Sequence, residues 1–190
     1  MAGVHLDFVR WYERSAVAES TPAVWNRFRA ERKTASRKAF ADWRTAKISA
    51  FVVAARAKVK GARPAAWFTV AVFGKYPSCV ESVGQDWRAW LNGGLADYIV
   101  PMNYTAEMAK YDSLVAAQSR SRAHARRTIS GIGVTANGLA LSAWQVKRQI
   151  AAARTAQLAG VALFDLDESL VRLFRARIFD HTEHKGASRR

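Results

Sequence analysis

The chain alternates between short, almost wholly apolar runs and longer stretches in which apolar residues recur at helical spacing. Four of the runs are Trp67 to Phe73, Asp97 to Tyr104, Thr128 to Val134 and Gly160 to Leu166. Runs so short and so continuously apolar predict parallel strands buried on both faces. Between and after them lie helical stretches, Gln85 to Leu91, Ser113 to Ala125, Ser142 to Ala159 and Glu168 to Phe179. Ahead of them, Asp42 to Lys60 predicts a helix capped by Asp42 and stopped by Gly61-Ala62-Arg63-Pro64, with Trp43, Ile48, Phe51, Val52, Ala55 and Val59 on its inner stripe. Residues 12–41 are polar and basic, and read as a loop-like insertion on the active-site face with one helical piece, Pro22 to Arg32.

The beat of these runs is regular. Phe68, Tyr98, Ser130 and Ala162 mark them, at separations of 30, 32 and 32 residues. A (β/α)8 barrel of about 250 residues gives about 31 residues per strand-helix unit. The pattern therefore predicts an α/β chain forming part of such a barrel, with an open doubly wound sheet as the rival.

The opening stretch, Gly3 to Trp11, reads as a fifth strand. At a period of two, Val4, Leu6 and Phe8 face one way, and His5, Asp7 and Val9 the other. An imidazole and a carboxylate are costly to bury without partners. Their face is expected to line a barrel mouth, where the C-terminal ends of strands carry chemistry. The competing reading is an ordinary strand whose Asp7 caps a turn.

Composition narrows the field. Of 190 residues, 50% are hydrophobic, enough for one sizeable core. No apolar run reaches eighteen residues, so no transmembrane segment is expected, and the N-terminus lacks the basic region of a signal peptide. Cys79 is the single cysteine, which excludes an internal disulfide. The net charge of +15 favours anionic partners. The arginines are spread along helical segments without a recognition helix, zinc finger or aromatic-studded pattern, so a basic nucleic-acid-binding domain is the least favoured reading.

Taken together, Gly3-Val4-His5-Leu6-Asp7-Phe8-Val9-Arg10-Trp11, Phe68 to Phe73, Gln85 to Leu91, Asp97 to Tyr104 and Gly160 to Phe164 resemble a family of bacterial glycosyl-hydrolase-like barrels. These are carbohydrate-active lipoproteins and secreted proteins, distantly similar to chitinases and to the hydrolase domain of poly-N-acetylglucosamine deacetylases. The resemblance implies that the five strands are strands four to eight. The first three would then lie upstream, or a second chain would complete the barrel. It also implies a secreted, periplasmic or lipoprotein location. His5 and Asp7 keep the strand-four motif, followed by Arg10, with Ala2 where the family has Asp. The position of the chitinase glutamate falls at Val9. Met102-x-Tyr104 matches a Met-x-Tyr pair whose tyrosine contacts the sugar, and Phe164 stands for the tryptophan that floors the sugar site.

Glycoside hydrolysis takes two carboxyl groups about 5 to 9.5 Å apart. Asp7 is the first candidate, with His5 placed to tune it. Glu107 is the second, and Asp165 and Asp167 are the runners-up, each with a bland reading as a loop carboxylate or helix cap. Arg10 and Trp11 suit sugar hydroxyls and a stacking platform. Met102, Asn103, Tyr104, Phe164 and Asp165 complete the expected substrate contacts. The tryptophans at 25, 43, 67, 87, 90 and 144 read as core. Gly131-Ile132-Gly133 with Gly138 reads as a turn rather than a phosphate loop. Residues 1–179 are expected to form the barrel portion and 180–190 a disordered basic tail, whose His181-x-x-His184 is not read as a metal site; no cofactor is expected. The expected function is a glycoside-hydrolase-like domain acting on a polysaccharide or cell-envelope glycan, a truncated piece of a longer enzyme and inactive alone. The alternative is a non-catalytic carbohydrate-binding pseudoenzyme or gene remnant.

Overall fold

The computed structural model describes residues 3–11, 21–32, 36–165 and 167–175, so the expected tail at 180–190 lies outside the described residues. Within them, β1 (Gly3–Leu6), β2 (Trp67–Phe73), β3 (Tyr98–Met102), β4 (Ile129–Gly133) and β5 (Gly160–Phe164) form one parallel sheet in sequence order. The sheet curls into a half-barrel. Helices α1 (Pro22–Glu31), α2 (Arg37–Ala62), α3 (Ser78–Val83), α4 (Trp87–Asn92), α5 (Met108–Gln118), α6 (Arg122–Ala125), α7 (Ala143–Thr155) and α8 (Glu168–Arg175) fall between and after the strands.

Strand alternation sorts the side chains into two layers. Phe68, Val70 and Val72 of β2 are fully buried, as are Ile99 of β3 and Ile132 of β4. They form the sheet side of the hydrophobic core. The intervening residues, among them His5, Ala71, Phe73, Val100, Met102 and Gly131, line a cleft on the concave side. Register runs evenly, from Gly3 opposite Trp67 to Gly133 opposite Phe164. Pro101 has no N–H for a ladder, and β3 meets β4 through Met102 opposite Gly131 and a bridge from Ile99 to Thr128.

One core region joins α2, α3 and α4 to β1, β2 and β3, with Trp87 and Trp90 at its centre. A second, between α5, α7 and β4, contains Tyr111, Val115, Val146 and Ile150. A third is an aromatic cluster of Phe28, Phe40 and Trp43 with Trp11 and Trp25 packed against it. Burial raises the Asp97 carboxyl, but its bonds to Lys60 and the Phe68 N–H outweigh this and hold it below the ordinary carboxylate range. Asp97 Oδ2 accepts from Lys60 Nζ at 2.7 Å and from the Phe68 N–H at 2.8 Å, tying α2 to the starts of β2 and β3. Cys79 is buried, and that burial pushes its thiol up to about 12.

Several local expectations are corrected. α2 begins at Arg37, with Ser36 as its cap: the Ser36 hydroxyl accepts from the Ala39 N–H at 3.1 Å. Asp42 instead pairs with Lys38 one turn earlier. Phe51 is 54% exposed, because the buried stripe follows Arg44, Ile48, Val52, Ala55 and Val59 and leaves position 51 about 100° away. The described part of 12–41 is held by its aromatic residues against α2, and none of those residues borders the cleft. The Ser113 to Ala125 stretch divides into α5 and α6, and α3 was not anticipated; Gly84 at φ 75° supplies the left-handed turn that ends α3. Trp144 is 61% exposed, on the side of α7 opposite the buried Val146, Gln149, Ile150 and Ala153.

Neither edge of the half-barrel is covered by another described strand. β1 is exposed at three of its four residues, and no residue of β5 is fully buried. Open parallel edges invite pairing with other chains. The isolated chain is expected to self-associate as its concentration rises, with sedimentation velocity as the measurement. A monodisperse monomer that melts cooperatively would count against this.

Candidate functional site

The concave side opens into a cleft of about 780 Å³ at the C-terminal ends of the strands, within the range of small-ligand sites. Asp7 enters it just past β1. Its Oδ1 accepts from the Phe8 N–H at 2.7 Å. Phe8 adopts φ 56°, a conformation that non-glycine residues rarely take. This turn ends the alternation. Phe8 stays 71% exposed at the cleft, while Val9, expected beside His5 and Asp7, is buried in the core.

Gln85 holds the turn in place. Its Nε2 donates to the Val9 carbonyl at 2.9 Å and to the Ala71 carbonyl at 3.3 Å, and its Oε1 accepts from the Phe73 N–H at 2.8 Å. The residue is fully buried and continues the join between β1 and β2 beyond their last paired residues. Next along the chain, Arg10 places its guanidinium over the Phe8 and Phe73 rings, 4.7 and 4.8 Å from their centres.

The expected residues separate into two groups. His5, Asp7, Arg10, Met102, Tyr104, Phe164 and Asp165 all border the cleft. His5 Nδ1 lies 2.8 Å from Thr69 Oγ1, so its ring is oriented by β2 rather than by Asp7. Burial lowers the His5 pKa, and the charge of Asp7 opposes that. Tyr104 stacks with Phe164 at 5.9 Å between centroids. Gly133 makes this possible, since a Cβ there would lie 2.7 Å from Tyr104 Cγ.

Three expectations are corrected. Glu107 is exposed at the start of α5 and does not border the cleft, because the chain has already turned into the helix. Asn103 is fully buried beneath the cleft; its Nδ2 donates to Gln118 Oε1 and Ser130 Oγ, both at 3.0 Å. Trp11 is carried into the helical layer, where its indole N–H donates to the Arg44 carbonyl and its ring lies 6.2 Å from that of Trp43. Asp167 accepts from the Leu170 N–H at 2.9 Å, in the role of a helix cap. Phe8, expected on the apolar face with Val4 and Leu6, borders the cleft instead because its own left-handed turn breaks the alternation. Gln85, Lys75 and Lys110 carry no mark in the sequence: an exposed lysine has no periodicity, and the Gln85 contacts are with residues distant in sequence.

Asp7 and Asp165 follow the two edge strands, and Tyr104 follows the middle one. Burial, then the charges of Asp7 and Asp165, push the Tyr104 phenol up to about 12. Both carboxylates therefore act on one hydroxyl. Replacing both by asparagine is expected to bring that phenol down toward its ordinary 10 without reaching it, since burial remains. A pH titration of the labelled tyrosine by NMR reads the shift. An unmoved Tyr104 would mean that the carboxylates do not share its surroundings.

A curled sheet of five parallel strands in sequence order, with a cleft at their C-terminal ends, is the architecture of part of a TIM barrel. The chain belongs to the family described as Glycosyl hydrolase-like 10, whose model matches residues 1–147. That match ends within α7, so Asp165 lies beyond it. The glycoside hydrolase domain of PgaB (BpsB) from Bordetella bronchiseptica is similar in structure, with a TM-score of 0.65 and 16% sequence identity over 93% of this chain. The chain spans 55% of that domain's length. No curated protein matches the sequence.

Proposed function

We propose that the chain forms the active-site wall of a glycoside hydrolase acting on a polysaccharide or cell-envelope glycan, with Asp7 and Asp165 as its two carboxyl groups. The observation that carries this reading is that Asp7, Tyr104 and Asp165 border one sugar-sized cleft, where both carboxylates help to hold the Tyr104 phenol above its ordinary range. One carboxyl group donates a proton to the departing oxygen, and the other attacks the sugar or activates water. Tyr104 and Phe164 give the sugar an aromatic wall, and the exposed Phe8 supplies the platform expected of Trp11. Further strand-helix units, in the same polypeptide or another chain, complete the barrel along the exposed edges of β1 and β5.

A second reading, glycan binding without cleavage, draws on Val9. The position at which chitinases hold their acid is turned into the core here, so no carboxylate can serve from it. Release of reducing ends from a panel of polysaccharides decides between the two, with the completed barrel as the enzyme. Cleavage that depends on Asp7 and Asp165 supports hydrolysis. Binding without cleavage by the completed barrel supports the second reading, and no binding to a folded protein overturns both.

A further inference from the structure

We propose that the cleft selects an anionic glycan, one whose sugars bear a carboxylate or another oxyanion, and that Arg10, Lys75 and Lys110 form the subsite for that group. The inference rests on the reading of the cleft as a glycan site and names its substrate class. The three cations come from successive strand ends: Arg10 after β1, Lys75 just past β2, and Lys110 in the first turn of α5 after β3. All three border the cleft.

Their position at the cleft is what distinguishes them from the other cations without a carboxylate partner among the described residues. Among the described residues, Lys38 pairs with Asp42, Lys47 with Glu31 and Lys60 with Asp97, whereas Arg10, Lys75 and Lys110 make no ion pair. Asp7 and Asp165 share the cleft with them and leave them unpaired. The guanidinium of Arg10 lies over the Phe8 and Phe73 rings, which place its charge at the cleft without a carboxylate partner, and a guanidinium fork matches a planar oxyanion. The cleft thus carries three cations against two carboxylates. An acidic substituent is drawn to the cations and repelled by the carboxylates, which biases how a sugar sits against the reacting pair. The net charge of +15 adds long-range attraction for the same polymer.

The test compares three hexasaccharides by calorimetry in low salt: hyaluronan, its carboxyl-reduced neutral form, and sulfated chondroitin. The completed barrel is expected to bind hyaluronan at least about tenfold more tightly than the neutral form, as one or two charge-assisted contacts would give, with the difference shrinking in high salt. The sulfated arm separates carboxylate recognition from general oxyanion recognition. Lys75→Gln with Lys110→Gln is expected to lower the preference severalfold, leaving only what Arg10 supplies, while keeping the affinity for the neutral sugar. Lys147→Gln with Arg148→Gln, an equal charge change on the exposed face of α7, is expected to leave the preference intact. Equal binding of charged and neutral sugars would overturn the proposal and leave the glycan reading standing. A preference lowered equally by both double variants would also overturn it, by assigning the selectivity to overall charge. No binding of any hexasaccharide by the folded, completed barrel would overturn both.

Discussion

Asp7→Asn is expected to lower glycan cleavage by the completed barrel about 10²- to 10⁴-fold, the usual contribution of a positioned general acid or base. Glycan affinity is expected to change by less than about tenfold, because the loss falls on the transition state rather than on the bound sugar. The substitution is suited to the question, since the amide oxygen of asparagine can still accept the Phe8 N–H that Asp7 holds at 2.7 Å. The turn at Phe8 is therefore kept while the charge goes. Asp165→Asn is expected to cost a similar factor, and the double variant little more than either, because the two carboxyl groups act in one step. Glu107→Gln, exposed on α5 and outside the cleft, is the matched control and leaves the rate unchanged. Comparing kcat with sugar affinity in these variants is the measurement. A rate indifferent to both Asp7 and Asp165 would remove the hydrolase reading.

Gln85→Leu is expected to destabilise the fold by about 3 to 5 kcal/mol, from three contacts whose buried partners each cost about 1 to 3 kcal/mol when left unpaired. The partners are the carbonyls of Val9 and Ala71 and the N–H of Phe73. Leucine fills much of the volume but can donate and accept nothing. Measured against the about 5 to 15 kcal/mol by which domains are stable, the loss is large, and a fall in the urea midpoint at unchanged slope reads it. The effect reaches the site as well. Gln85 holds the segment that carries Asp7, Phe8 and Arg10 against β2, so loosening of that segment accompanies the lost stability. A variant as stable as the parent would show that the backbone ladder alone holds the turn.

The sequence conveyed the layered architecture well because that architecture depends on period. The strand of Trp67 to Phe73 coincides with β2, and the others differ only at their ends. Parallel order and an inward-facing His5 and Asp7 follow from alternation, which holds while the backbone stays extended. At Phe8 the backbone leaves that region, and the expectations for Val9 and Trp11 fail together: one turns into the core and the other into the helical layer. Asn103 and Glu107 fail for a related reason. Immediately past β3 the chain turns, so adjacent residues no longer alternate between sheet faces. Tyr104 remains at the cleft while Asn103 drops beneath it, into contact with Gln118 and Ser130. The union of Asp165 with Asp7 lies beyond any local pattern, because only the curl of the sheet brings the ends of β1 and β5 to one cleft.

Cys79 gives the chain an internal clock. A thiol titrating near 12 and shut away from solvent is almost entirely un-ionised at neutral pH, and the thiolate is the form that oxidants and alkylating reagents attack. The folded protein can therefore pass from reducing to oxidising surroundings with its sulfur chemistry unaltered. Only opening of the core around α3 and α4 brings the sulfur within reach, so the pace at which a maleimide captures it reports how often that half of the barrel breathes.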